Sequence, residues 1–217
     1  MLLVMLVALL VIDPLIKIQI LGVSSSRILF SSVLLTAVWA TGRSRRHLSI
    51  GLALVAPTLL LEWALFFWSS SIFLQMANLA FSGAFLVFVC SSIVRALFRE
   101  EQVTRDTIAG GILVYLLLGV LWWVAYVAVE IGMPGAFEWD GVSVSAEKLR
   151  YGVSGFPELL YFSFVTLSTL GYGDITPEVP IAQSLSVLEA IIGQLFVAIF
   201  IARLVGLSLA NRPDPGS

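Results

Sequence analysis

Long apolar runs separated by short polar breaks dominate the chain. They fall at about residues 1–16, 27–42, 48–68, 72–98, 107–130 and 180–208, with a briefer run at 156–170. A helix needs about 20 apolar residues to cross a bilayer. The four later long runs meet that length. The first two are shorter and are expected to tilt, or to draw on Ile16 to Val23 for extension. The pattern predicts an all-α membrane protein with six transmembrane helices. The 156–170 run is too short to cross, so it is expected to re-enter the membrane between the last two spans.

Composition agrees. Hydrophobic residues make up 59% of the chain and charged residues 12%, too little charge to cover a soluble surface. No basic cluster of the kind nucleic acid requires is present, so no nucleic-acid partner is expected. Cys90 is the one cysteine and His47 the one histidine, which excludes an intrachain disulfide and leaves no Cys/His metal set. No grouping of His, Ser and Asp offers a catalytic set, so neither an enzyme nor a cofactor is expected. Residues 1–12 lack a basic leader, and Asp13-Pro14 follows them rather than a cleavage site. They are expected to stay as a first helix.

The basic residues orient the spans. With both termini cytoplasmic, Arg43, Arg45, Arg46, Arg95, Arg99, Arg105, Arg203 and Arg212 lie inside, against Lys17, Arg27, Lys148 and Arg150 outside. That satisfies the positive-inside rule, for a multi-pass protein of a plasma or inner membrane. It also puts residues 131–179 outside. Glu130, Glu138, Asp140, Glu147, Glu158, Asp174 and Glu178 fall in or near that loop. They are either ordinary solvated acids or a vestibule that concentrates cations.

Thr169-Leu170-Gly171-Tyr172-Gly173-Asp174 closes the short run, after Phe164-Val165-Thr166-Leu167-Ser168. This stretch resembles the filter of bacterial-type potassium channels, with Leu170 where the commoner filter has Val. The resemblance is strong over the pore half, about 107–209. It covers the first half in span count alone. It implies a pore helix, which Pro157 would start. The carbonyls of Thr169, Leu170, Gly171 and Tyr172, with the Thr169 hydroxyl, would replace the water around K+. Gly171 and Gly173 would permit the dihedrals that turn successive carbonyls one way. One chain cannot close such a ring, so a homotetramer is implied. Family members often brace the Asp after the filter with a Trp pair or a Glu. Here those positions hold Tyr161, Phe162 and Val165, and Phe162 cannot donate to Asp174.

By the same resemblance Gly193 falls where related channels carry a hinge, with close packing as the alternative. Gln194, Val197 and Ile201 recur near helical spacing and could face a cavity. Ile201 and Val205 could form an apolar gate. Glu189 is costly at membrane depth and is expected to brace the filter from behind rather than to bind the ion. In the 72–98 run the arginines are Arg95 and Arg99, both at its cytoplasmic end, so steep voltage gating is not expected. Glu62 could pair with Arg27 or sense pH in a wet crevice. Ser82-Gly83-Ala84 and Gly110-Gly111 suggest close helix contacts.

The expected organisation is a four-helix peripheral membrane domain, 1–98, a pore domain, 99–209, and a short disordered tail, 210–217. The function expected is passive, potassium-selective conduction within membrane lipid. A weakly selective cation channel, a pore served by a separate regulatory subunit, and a non-conducting sensor or scaffold remain as alternatives. Nothing in the sequence names the opening stimulus.

Overall fold

The computed structural model describes residues 2–4, 6–7, 31–32, 34–38, 45–67, 71–139, 141–144 and 156–210. Most of the first two expected spans lies outside this set. So do Lys17, Arg27, Arg43, Asp140, Glu147, Lys148, Arg150 and the tail from 211 onward. The described elements run α1 Arg45–Phe67, α2 Ile72–Leu97, α3 Arg105–Gly132, β1 Phe137–Trp139, β2 Val142–Ser143, α4 Pro157–Leu167, β3 Ile175–Pro177 and α5 Pro180–Ala210.

Four of these, α1, α2, α3 and α5, are long and apolar enough to cross a membrane. Their ends follow from local chemistry. Ser71 caps α2 by accepting from the Leu74 amide. Thr104 and Thr107 cap each other's backbone at the start of α3, where Asp106 also meets the positive end of the helix dipole. Pro157 opens α4 in the first turn, where its missing N–H costs nothing. The 11 residues of α4 rise about 16 Å, short of the bilayer core. The 31 residues of α5 rise about 46 Å and exceed it.

Helix α1 packs on α2 and α2 on α3. Helix α3 then carries both α4 and α5, which also touch each other. One apolar core is continuous from Val55, Phe85 and Val89 to Leu117, Val124, Leu159 and Phe162. The lower end of α5 is tied back to the end of α2. Arg203 Nη2 donates to the carbonyls of Leu97 at 3.2 Å and Glu100 at 2.8 Å, and its guanidinium lies 4.8 Å from the Phe98 ring centroid.

The strands form a small antiparallel sheet in the order β2-β1-β3. The apolar pattern gave no sign of it, because strands of two or three residues are too short to show alternation.

Close approach sets several glycines, Gly111 and Gly193 among them. A Cβ at Gly111 would lie 2.1 Å from the Phe200 ring. At Gly193 it would lie 2.5 Å from the Leu167 backbone oxygen, at the end of α4. Helix α5 runs unbroken through Gly193, so the geometry supplies a packing reason for that glycine. Gly83 differs: its nearest neighbour, Val124, would stand 3.8 Å from an added Cβ, an ordinary contact.

Gly193→Ala forces a methyl against backbone that cannot rotate away. We expect it to destabilise the detergent-solubilised protein by about 1–3 kcal/mol, the usual cost of overpacking. Gly83→Ala should be neutral or stabilising, by up to about 1 kcal/mol from helix propensity. Thermal unfolding of the two variants side by side checks the contrast.

Candidate functional site

The backbone after α4 leaves regular structure at once. Thr169 has φ 56°, Gly171 57° and Gly173 78°. Left-handed residues therefore alternate with Leu170 and Tyr172. Such alternation lets successive carbonyls turn to one side. Gly171 and Gly173 adopt it freely, but Thr169 is β-branched and pays a steric cost there. The strain is held from below. The Val165 carbonyl accepts from the Leu170 amide at 2.9 Å and the Gly171 amide at 3.4 Å, and the Thr166 carbonyl accepts from the Thr169 amide at 2.9 Å. Added methyls at Gly171 or Gly173 would meet nothing within 4 Å. On the single chain, conformation rather than crowding calls for those glycines.

Helix α4 aims this loop and is itself anchored at both ends. Trp123 of α3 donates its indole N–H to the Phe156 carbonyl at 2.8 Å. At the other end Leu167 meets Gly193 of α5. The dipole of α4 directs its negative end at the loop, which favours a cation there.

Behind the loop lies a buried polar knot. Glu189 of α5 is fully buried. One carboxylate oxygen accepts from the Tyr126 hydroxyl of α3. The other is 2.6 Å from Ser163 Oγ of α4. Ser163 Oγ also lies 2.8 Å from the Gly119 carbonyl of α3, so its single proton serves one acceptor at a time. The knot joins all three helices of the pore half. Ser163 and Tyr126 were not singled out in the sequence. Their only signal was a hydroxyl inside an apolar run, and many such residues bond only their own helix.

The outer end is held separately. Tyr161 donates its hydroxyl to Asp174 Oδ2 at 2.8 Å. Asp174 Oδ1 also accepts from the Ile175 amide at 3.1 Å. Of Tyr161, Phe162 and Val165, Tyr161 thus makes the bond to Asp174. Phe162 packs edge-on against Tyr126 and Phe137 instead.

The acidic rim needs correction. Glu130 is 1% exposed and Glu158 8%. Glu130 accepts from the backbone amides of Gly135 and Phe137. It is a loop clamp and cannot line a wet vestibule. Asp174 and Glu178 keep solvent access. Glu62 is buried and accepts from the Asn78 amide of α2 at 2.8 Å. Its suggested partner, Arg27, lies outside the described residues.

On α5, Gln194 donates to the Thr169 hydroxyl at 3.3 Å. Ile201 and Val205 are more than half exposed on the isolated chain, one helical turn apart. Arg95 folds onto its own helix, donating to Ser91.

Replacing Glu189 separates charge from hydrogen bonding. In Glu189→Gln the amide can accept from Tyr126 and donate to Ser163, freeing the Ser163 proton for Gly119. Stability should be nearly unchanged. Glu189→Leu removes the carboxylate acceptor of the buried Tyr126 proton and should cost about 1–3 kcal/mol. Equal loss in both variants, by thermal unfolding, would overturn this account of the knot.

Residues 135–207 match the family model described as "Ion channel". The chain is also 36% identical over 98 residues, 45% of its length, to "Two pore potassium channel c" of Oryza sativa subsp. japonica. The matched stretch spans 18% of that longer protein. No solved structure gives a significant match. The family match covers β1 to near the end of α5, the segment that holds the loop together with Ser163 and Glu189 of the knot. Both similarities point to a channel pore and not to an enzyme.

Proposed function

We propose that the chain is one subunit of a potassium-selective channel that conducts passively through backbone carbonyls. The observation that carries this reading is the alternating backbone of Thr169 to Gly173, set at the end of a half-length helix. A potassium ion leaves water where oxygens replace its hydration shell. The carbonyls of Thr169, Leu170, Gly171 and Tyr172, with the Thr169 hydroxyl, are the groups for that task. Asp174 holds the outer end of the filter and Glu189 braces it from behind, and neither binds the ion. The relative named for potassium supports the choice of ion.

The loop also argues for partner subunits. Leu170 and Tyr172 are 56% and 66% exposed on the single chain. Irregular backbone at membrane depth is tolerated only when buried in protein or facing a wet cavity. The apolar flank of α5, including Ile191, Leu195 and Ile199, is likewise uncovered. A homotetramer around a central axis satisfies both demands. Six spans per subunit, with both ends cytoplasmic, put the filter mouth outside in a plasma or inner membrane. Ile201 and Val205 would then form an apolar constriction on the cavity side.

Steep voltage gating is not part of this reading. Along α2 the only arginine is Arg95, in the last turn. Each charge crossing the full field supplies only about 2.3 kcal/mol per 100 mV.

The test is flux through purified protein in liposomes. Potassium and rubidium should pass, sodium should be excluded and barium should block. Intact oligomers with no flux would favour a non-conducting scaffold. Equal sodium and potassium flux would sink the selective filter. Gly171→Ala puts a side chain at φ 57°, a strain of about 1–2 kcal/mol per subunit. It should lower the potassium-to-sodium ratio while leaving the helices folded by circular dichroism.

A further inference from the structure

We propose that strand β1, in the outer loop before α4, positions the exit of the filter, with Phe137 as its positioning residue. The inference rests on the conduction reading above.

Two anchors hold the exit. One is the bond from Tyr161 to Asp174. The other is the sheet. Asp174 is followed directly by β3, and β3 pairs with β1 through Trp139–Ile175, Glu138–Thr176 and Phe137–Pro177. The Glu178 amide extends the pairing by donating to the Ala136 carbonyl at 2.8 Å. Chain that has just left the filter is therefore fastened to a loop that precedes the pore helix.

Strand β1 can serve as an anchor because it is itself fixed. Phe137 is fully buried. Its ring meets Tyr126 of α3 at 5.3 Å and Phe162 of α4 at 5.4 Å, centroid to centroid and edge to face. Its amide donates to the buried Glu130 carboxylate at 3.1 Å, and the same carboxylate accepts from Gly135 at 2.9 Å. Its carbonyl accepts from Val144 at 3.0 Å. Backbone and ring are both engaged, so β1 cannot slide without opening the aromatic cluster. Tyr126 in that cluster also donates to Glu189. The outer loop and the knot behind the filter are thus linked through Tyr126.

The functional consequence follows from electrostatics. Carbonyl oxygens ringed around an axis repel one another, and the bound cation screens that repulsion. When external potassium is withdrawn the exit loses its ion, and the ring holds only as well as its anchors do. Strand β1 should therefore set how long conduction survives without external potassium.

The experiment uses the full chain in planar bilayers. Glu138→Cys with Thr176→Cys places two cysteines directly opposite in an antiparallel pair, a separation that a disulfide accepts. The native Cys90 is buried and remote in sequence. Potassium currents are followed while external potassium is replaced by an impermeant cation. Oxidation should slow the loss of current by about threefold or more, the scale of coupling through packed networks. Reduction should restore the original rate. Phe137→Leu should hasten the loss by a similar factor, with assembly confirmed by size exclusion. If that variant fails to assemble, the cysteine pair decides alone. A wild-type protein that conducts, with oxidised and reduced pairs alike, overturns this inference. A wild-type protein that carries no current overturns the conduction reading and this inference with it.

Discussion

The carboxylate of Glu189, received by hydroxyls from two other helices, is the interaction on which the packing of α3, α4 and α5 depends. Burying such a group at membrane depth costs several kcal/mol unless polar partners surround it. Tyr126 and Ser163 supply them. The bonds are short-range and directional, so they hold only when α3, α4 and α5 meet in one register. A Leu in place of Glu189 could pack in many ways. The carboxylate packs in one, and that fixes where the end of α4 delivers the Thr169–Asp174 loop.

The contacts around the knot follow from this register. Gly193 is one turn along α5 from Glu189 and lets the two backbones close to contact at Leu167. The rings of Tyr126, Phe162 and Phe137 stack edge to face at one end of the knot. Toward the C-terminal end of α5, Arg203 caps the carbonyl end of α2, where the helix dipole favours a cation. Order at the loop after α4 is thus supported from the β1–β3 sheet to the far end of α5. The loop backbone contributes little of it, since Thr169 is held in a strained conformation.

Much of the fold was legible in the sequence. The runs expected at 72–98, 107–130 and 180–208 appear as Ile72–Leu97, Arg105–Gly132 and Pro180–Ala210. Membrane helices announce themselves because lipid demands an apolar residue at nearly every position. The half-length helix at Pro157–Leu167 was equally plain, because its length excludes crossing. The outer sheet was not legible. Its strands are held by a buried carboxylate and by pairing across 36 residues, and no local pattern encodes either.

Glu130 and Tyr161 show the same boundary at single residues. Glu130 looked like one more acid in an outer loop, yet it is buried and binds two amides. Tyr161 stood where relatives carry a different donor, and only the fold shows its hydroxyl reaching Asp174. The sequence alone determined that the chain lies in a membrane, where its later spans run, and that Gly171 and Gly173 bracket a loop able to adopt left-handed backbone. Those properties depend on residue type and local spacing. Tertiary structure decided which hydroxyls satisfy Glu189, why Gly193 must lack a side chain, and how the loop is held at both ends. Those are contacts between residues far apart in the chain, and their partners are chosen only when the helices pack.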